Sequence, residues 1–149
     1  MTFAQANNLK SGDVIVVPEG IFNLVAHYVV YRGVDFNGTE QYMENINGHG
    51  VRYITGEQFI SDYPVAKRIR RFTGSDCERQ LAIERGDALI GRPYHLVRFN
   101  CEDYANHIQY NKAYSKQTKS IISAVASFLF AGMATVILSG AARGRRLKH

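Results

Sequence analysis

One helix start, Asn100-Cys101-Glu102-Asp103, constrains this chain more than any other stretch. Asn100 is a strong N-cap, and Asp103 stands at the third helical position, from which its carboxylate can reach back to the cap. Tyr104, Ala105 and Ile108 then recur at helical spacing and give the helix an apolar face to bury. Cys101 thereby becomes the first helical residue, beside N–H groups with no intrahelical acceptor and at the positive end of the helix dipole. Both effects favour thiolate over thiol. A small inert core residue would fill the same position, and free cysteines are more often that than nucleophiles. The choice between the two falls to the rest of the chain.

The 149 residues suffice for one domain with a proper core and are too few for two. The net charge of +5 is unevenly placed: residues 1–119 hold fourteen Lys and Arg against thirteen Asp and Glu, whereas residues 120–149 hold four bases and no acid. A nearly neutral body argues against nucleic acid as a partner, because a nucleic-acid binder spreads its positive excess over a folded face. Lys67-Arg68-Ile69-Arg70-Arg71 is the one basic cluster in the body, and it reads as a solvated strand or a membrane-facing rim. Cys77 and Cys101 form neither a disulfide framework nor a zinc motif, since no paired Cys or His spacing accompanies them. No metal or cofactor is therefore expected, and a reducing compartment is. Met1 to Gln5 lacks the basic and apolar regions of a signal peptide.

In chain order, Lys10 to Asp13 is a turn and Val14–Val17 a strand that Pro18 and Gly20 should end. Ala26–Tyr31 is apolar on both faces and should lie centrally in its sheet. Glu40–Asn45 returns as its hairpin partner, and Val51–Ile54 follows the loop Asn47-Gly48-His49-Gly50. Thr55 and Gln58 form a capping box for a short helix limited by Pro64. Ala66–Phe72 reads as a further strand. Ser75 and Glu78 open a helix over about 76–90 whose buried stripe should be Leu81, Ala82, Ala88 and Leu89, with Gly86 weakening it by about 1 kcal/mol. Tyr94–Val97 then leads in extended form to the cysteine helix.

Residues 120–142 carry no charge, and 23 residues in a helix span roughly 34 Å, enough for a hydrocarbon core of about 30 Å. The stretch reads as a single membrane-spanning helix, dividing the chain into a body, 1–117, and an anchor with a basic tail, 118–149. A tail anchor with the body in the cytosol is the natural arrangement, and the small residues Ser123, Ser127, Ala131, Thr135 and Ser139 on one face would allow self-association in the bilayer.

Acyl transfer through a thiol needs a thiolate, a base that holds and returns its proton, and donors for the oxyanion. Cys101 supplies the first and, through its own N–H, part of the last. His27, fixed on a central strand, is the best placed of five histidines to be the base, although a satisfied core histidine would sit there equally well. The returning strand offers the group that orients it: Glu44 first, Asn45 second, with His49 a weaker third, the hairpin register deciding between the first two.

Leu9-x-Ser11-Gly12-Asp13-Val14-Ile15, His27-Tyr28-Val29-Val30-Tyr31-Arg32-Gly33, Gly50-Val51 and Gly91-x-x-Tyr94-x-Leu96-x-x-x-Asn100-Cys101-Glu102 together resemble the lecithin:retinol acyltransferase-like domain family with its H-box and NC motifs. That family includes the H-Ras-like suppressor phospholipase/acyltransferases, has a picornaviral branch of non-structural proteins, and is a circularly permuted relative of the NlpC-type papain-like peptidases. The resemblance covers about residues 9–111. It implies an α+β, permuted papain-like fold, an antiparallel sheet with helices packed on it, here followed by the C-terminal transmembrane helix. It further implies Cys101 as the nucleophile of an acyl thioester, His27 as general base and a polar residue near Glu44 as the orienting group. Where many of these enzymes carry a second histidine, the strand Tyr42-Met43-Glu44-Asn45 has none, and Asp103-Tyr104 replaces the usual His-Phe. The expected activity is that of a membrane-anchored acyltransferase or phospholipid acyl hydrolase with a lipid as partner. An NlpC-type peptidase or amidase and a non-catalytic membrane scaffold are the alternatives.

Overall fold

The computed structural model describes residues 1–19 and 25–112. Nine elements follow in the order α1 (Phe3–Ala6), β1 (Val14–Glu19), β2 (Val25–Val34), β3 (Glu40–Ile46), β4 (Gly50–Thr55), α2 (Gly56–Asp62), β5 (Arg68–Arg70), α3 (Asp76–Asp87) and α4 (Cys101–Tyr110). The strands form one antiparallel sheet in the order β4-β3-β2-β1-β5, so the architecture is α+β and β2 is the central strand, as its two apolar faces require. The uncharged stretch 120–142 and the 117/118 boundary lie outside the described residues. Among the described residues no helix is long and apolar enough to cross a membrane.

Strand alternation sorts the core onto the two faces of the sheet. Val14, Val16, Tyr28, Val30, Met43 and Val51 pack with Ala82 and Ile83 of α3 and with Cys101, Tyr104, Ala105 and Ile108 of α4. On the other face Ile15, Val17, Val29, Tyr31, Tyr42 and Ile54 meet Ala4 of α1 and Phe59 of α2. The short α1, capped by Thr2 and Gln5, has no counterpart in the sequence reading. Its four residues are too few for a periodicity to show.

Several expectations need correction. β1 runs through Pro18, which pairs with Ala26. The Val16 carbonyl accepts from Lys67 on the β5 side, so the nitrogen of Pro18, two residues on, points to that same side, past the last β1–β5 pair at Val16↔Arg68. No ladder bond is lost there. β5 is only Arg68–Arg70. The buried residues of α3 are Ala82, Ile83 and Gly86, while Leu81 and Ala88 face solvent and Leu89 packs only partly against the core. Gly86 is a contact point as well as a helix weakener, since a Cβ there would lie 2.8 Å from Met43 Cε and 3.0 Å from Ile108 Cδ1. The extended lead expected over 94–97 is broken at Leu96: His95 and Phe99 bridge, and the chain turns between them. Gly50 takes φ +72° against a neighbouring backbone, where a Cβ would meet the Arg92 carbonyl oxygen at 2.4 Å.

The basic cluster at 67–71 divides by position. Arg68 is exposed. Arg70 lies between the Tyr28 and Tyr110 rings and donates to Asn106 Oδ1 at 2.8 Å. Arg71 donates to Asp13 and to the carbonyls of Asn7 and Asn8 at the end of α1. Asp13 is itself buried and accepts from the Lys10 and Phe72 N–H groups, Arg71 and Arg79. Burial raises its pKa, but these four donors outweigh that and hold it below the ordinary 3.8. The stability it contributes is therefore present above about pH 3.8 and is lost as the pH falls through the depressed value. Asp13→Asn is expected to cost about 3 kcal/mol in urea unfolding at neutral pH, because it leaves buried donors facing an uncharged group. The variant should also lose less stability than the parent between neutral pH and pH 3. Parallel stability–pH curves would show that Asp13 is not the anchor its geometry suggests.

Candidate active site

α4 starts where its sequence places it. The Asn100 side chain accepts from the N–H groups of Glu102 and Asp103 at 2.9 and 3.1 Å, and Asp103 Oδ2 accepts from the Asn100 N–H at 3.0 Å, closing the capping box. The Cys101 N–H takes no part in this cap. Tyr104, Ala105 and Ile108 are buried, as their spacing predicts, and dock the helix on the sheet. Glu102 and Asp103 are also buried, which their charge does not foretell.

His27 stands opposite Val17 on β2, on the sheet face that carries Val29 and Tyr31. α4 packs on the other face, so an imidazole and a thiol from these two elements can meet only around the edge of a strand. The sheet provides that edge. Pairing between β2 and β3 ends at Val29↔Glu44, leaving Val25–Tyr28 outside the β3 register. Cys101 lies at this opening, with Sγ 3.9 Å from the Ala26 carbonyl oxygen, and its side chain hydrogen-bonds with His27.

Register also selects the third group. Glu44 opposes Val29 and so shares a face with His27, one step along the diagonal of the two strands. Its Oε2 lies 2.8 Å from His27 Nε2, which leaves Nδ1 as the ring nitrogen for the sulfur. Asn45 points to the opposite face and donates to the Phe99 carbonyl at 2.9 Å, and His49 is exposed in its loop. The structure thus joins Cys101, His27 and Glu44 and leaves the other two apart.

Two residues not foreseen from sequence complete the arrangement. Tyr63, the C-cap of α2, donates to Glu44 Oε2 at 2.7 Å, and its ring centroid is 5.3 Å from that of His27. Arg52, directly across from Glu44 on β4, reaches Oε1 through Nε at 2.8 Å and Nη2 at 2.7 Å. Drawing the β3–β4 hairpin in register would have found Arg52. Nothing in the local sequence marks Tyr63.

The row is buried, with His27 1%, Glu44 0% and Cys101 7% exposed. Burial disfavours a charged imidazole, but its hydrogen bonds to Cys101 and Glu44 and their charges outweigh this and push the His27 pKa up to about 10. Burial likewise raises Glu44, and the bonds from His27, Tyr63 and Arg52 with the imidazolium charge win and hold it below the ordinary 4.5. The stability due to His27 is full below about pH 6.5 and fades as the pH rises through about 10. That due to Glu44 is present above about pH 4.5 and fades as the pH falls through its depressed value. An open groove of about 1060 Å³ lined by Thr2, Phe3, Glu40 and Ile60 among others includes none of the three residues. Among the described residues no cluster of His, Cys, Asp and Glu could hold a metal.

No protein-family model matches the chain, and no curated protein or solved structure does so either.

Because one carboxylate receives every donor of the row, its removal should cost more than the loss of any one donor. Glu44→Ala is expected to destabilise by about 3–5 kcal/mol, leaving a buried imidazole and guanidinium unpaired. Tyr63→Phe, which removes one hydroxyl, should cost about 1–2 kcal/mol. Urea unfolding of the two variants measures the ranking, and equal losses would contradict it.

Proposed function

We propose that this protein is a membrane-associated thiol acyltransferase or phospholipid acyl hydrolase working through an acyl thioester on Cys101. The supporting observation is the buried row Cys101, His27, Glu44, with a sulfur at a helix start, an imidazole between sulfur and carboxylate, and a carboxylate that is itself held. On this reading the α+β fold is a permuted papain-like domain, in which the histidine strand precedes the cysteine helix in sequence.

The proposed chemistry begins from an ion pair, with the proton that activates Cys101 already resting on His27 as an imidazolium. Cys101 Sγ attacks the carbonyl carbon of an acyl ester, and the carbonyl electron pair moves onto oxygen. The Cys101 N–H and the positive end of α4 face that developing charge. The intermediate collapses by breaking the ester C–O bond, and the departing lysolipid oxygen takes the proton from His27. Water, an amine or another lipid hydroxyl then attacks the thioester, giving a proton to His27 as its bond to the acyl carbon forms, and the sulfur departs with the C–S electron pair, restoring the ion pair with His27. Glu44 remains ionised throughout, orients the imidazole and stabilises its charged form. Arg52 and Tyr63 hold Glu44. Residues 120–142 would keep the body at the bilayer, raising the effective concentration of a glycerophospholipid donor.

Incubating the full chain with phosphatidylcholine vesicles and weighing the intact protein tests this. The expected product is one added acyl chain on Cys101, removed by hydroxylamine and missing in Cys101→Ala. His27→Gln should slow its formation by about 10²–10⁴-fold. An adduct at Cys77, or none with any ester donor, would overturn the reading, and turnover confined to amide donors would assign the site to a peptidase or amidase.

A further inference from the structure

The turn that leads into the cysteine helix is built inside out. His95 and Phe99 exchange two backbone hydrogen bonds, at 2.9 and 2.8 Å. His95 Nδ1 accepts from the N–H groups of Val97 and Arg98 at 3.2 and 3.1 Å, and Asn100 Nδ2 donates to the Leu96 carbonyl at 3.1 Å. The polar groups of the turn are thus spent on closing it and fixing it to the N-cap of α4. What remains outside is aliphatic: Leu96 is 59% and Val97 51% exposed, with Arg98 exposed beside them. A tight turn ordinarily presents Asn, Asp, Ser or Gly to water, and folding gains nothing from two adjacent aliphatic side chains held there.

The other borders of the site repeat the pattern. Val25, two residues before His27, is 49% exposed. Val65, two residues after the Tyr63 that lies against His27, is 60% exposed. Beyond it the chain becomes basic, and the exposed Arg68 pairs with Val16, which pairs in turn with Tyr28, the neighbour of His27. Segments 63–68 and 94–98 contain no Asp or Glu, whereas Val25 is paired across the ladder with Glu19 and is left out of the surface. Aliphatic side chains standing out beside fixed positive charge, with no acid among them, match the boundary between lipid headgroups and acyl chains, where apolar groups enter and cations meet phosphate.

We infer that this rim is a bilayer-docking surface, with Leu96, Val97 and Val65 entering the interfacial layer of an anionic phospholipid membrane and Arg98 and Arg68 meeting lipid phosphates. Docking of this kind would set Cys101 against the plane in which acyl esters lie. That purpose rests on the acyl-lipid reading, whereas the surface is tested apart from it.

The chain contains no Trp, so Leu96→Trp gives the full-length protein a single indole. Phe36→Trp, at a 97% exposed position in the turn between β2 and β3, at the other end of β2 from His27, is the control. Both are reconstituted into phosphatidylcholine vesicles with and without phosphatidylserine, using lipids brominated near the top of the acyl chains. Leu96→Trp is expected to emit to the blue of the control and lose most of its emission to the brominated lipid, more so with phosphatidylserine. The control should stay unquenched, and Val65→Asp or Arg98→Glu added to Leu96→Trp should restore emission. Equal behaviour of Leu96→Trp and Phe36→Trp would overturn the docking surface, and quenching indifferent to phosphatidylserine would overturn the part given to the arginines. Weighing the same samples for the Cys101 adduct separates the two readings: quenching without acylation defeats the proposed chemistry alone, and acylation without quenching defeats the docking surface alone.

Discussion

A carboxylate with no access to water is the constraint around which this site is built. Glu44 is fully buried, and an ionised carboxyl in such a place is costly unless its oxygens are filled. They are filled from three elements, by His27 on β2, Arg52 on β4 and Tyr63 at the end of α2. Each donor ties its own element to β3. The carboxylate that these three groups satisfy in turn fixes the angle of the imidazole and, together with Cys101, holds it charged.

The reach from that imidazole to Cys101 depends on a local failure of strand pairing. Were β2 and β3 zipped to their ends, the helix on one face and the histidine on the other would be separated by the sheet. Pairing instead stops at Val29↔Glu44, Asn45 turns its amide to the Phe99 carbonyl, and the start of α4 comes to the exposed edge of β2 at Ala26. Asn45 thus has a structural part in the site: it ties the chain just ahead of the cysteine helix to β3.

Much of this was legible in the sequence because the signals were local. The capping boxes at Ser75 and Asn100, the both-faced apolar strand at 26–31 and the hairpin that returns Glu44 all depend on residues a few positions apart. Where the reading failed, the deciding partner was distant. Pro18 is tolerated because β5 ends early, and Leu81 faces solvent because α3 turns Ala82, Ile83 and Gly86 toward Met43 and Ile108. The short turn at 96–98 is dictated by His95, whose imidazole accepts from two backbone N–H groups, a use that composition does not reveal. Tyr63 and Arg52 were missed for the same reason, since each gains its meaning only when β3 lies beside it.

The central claim is that Cys101 and one buried carboxylate, Glu44, together hold His27 as an imidazolium. An NMR titration of the His27 ring in the full chain, with and without Glu44→Gln, tests it most directly. The account predicts that the parent ring keeps its proton until the pH approaches about 10 and that the substitution moves the midpoint down toward the ordinary 6.5. A ring that titrates near 6.5 in both proteins would contradict it.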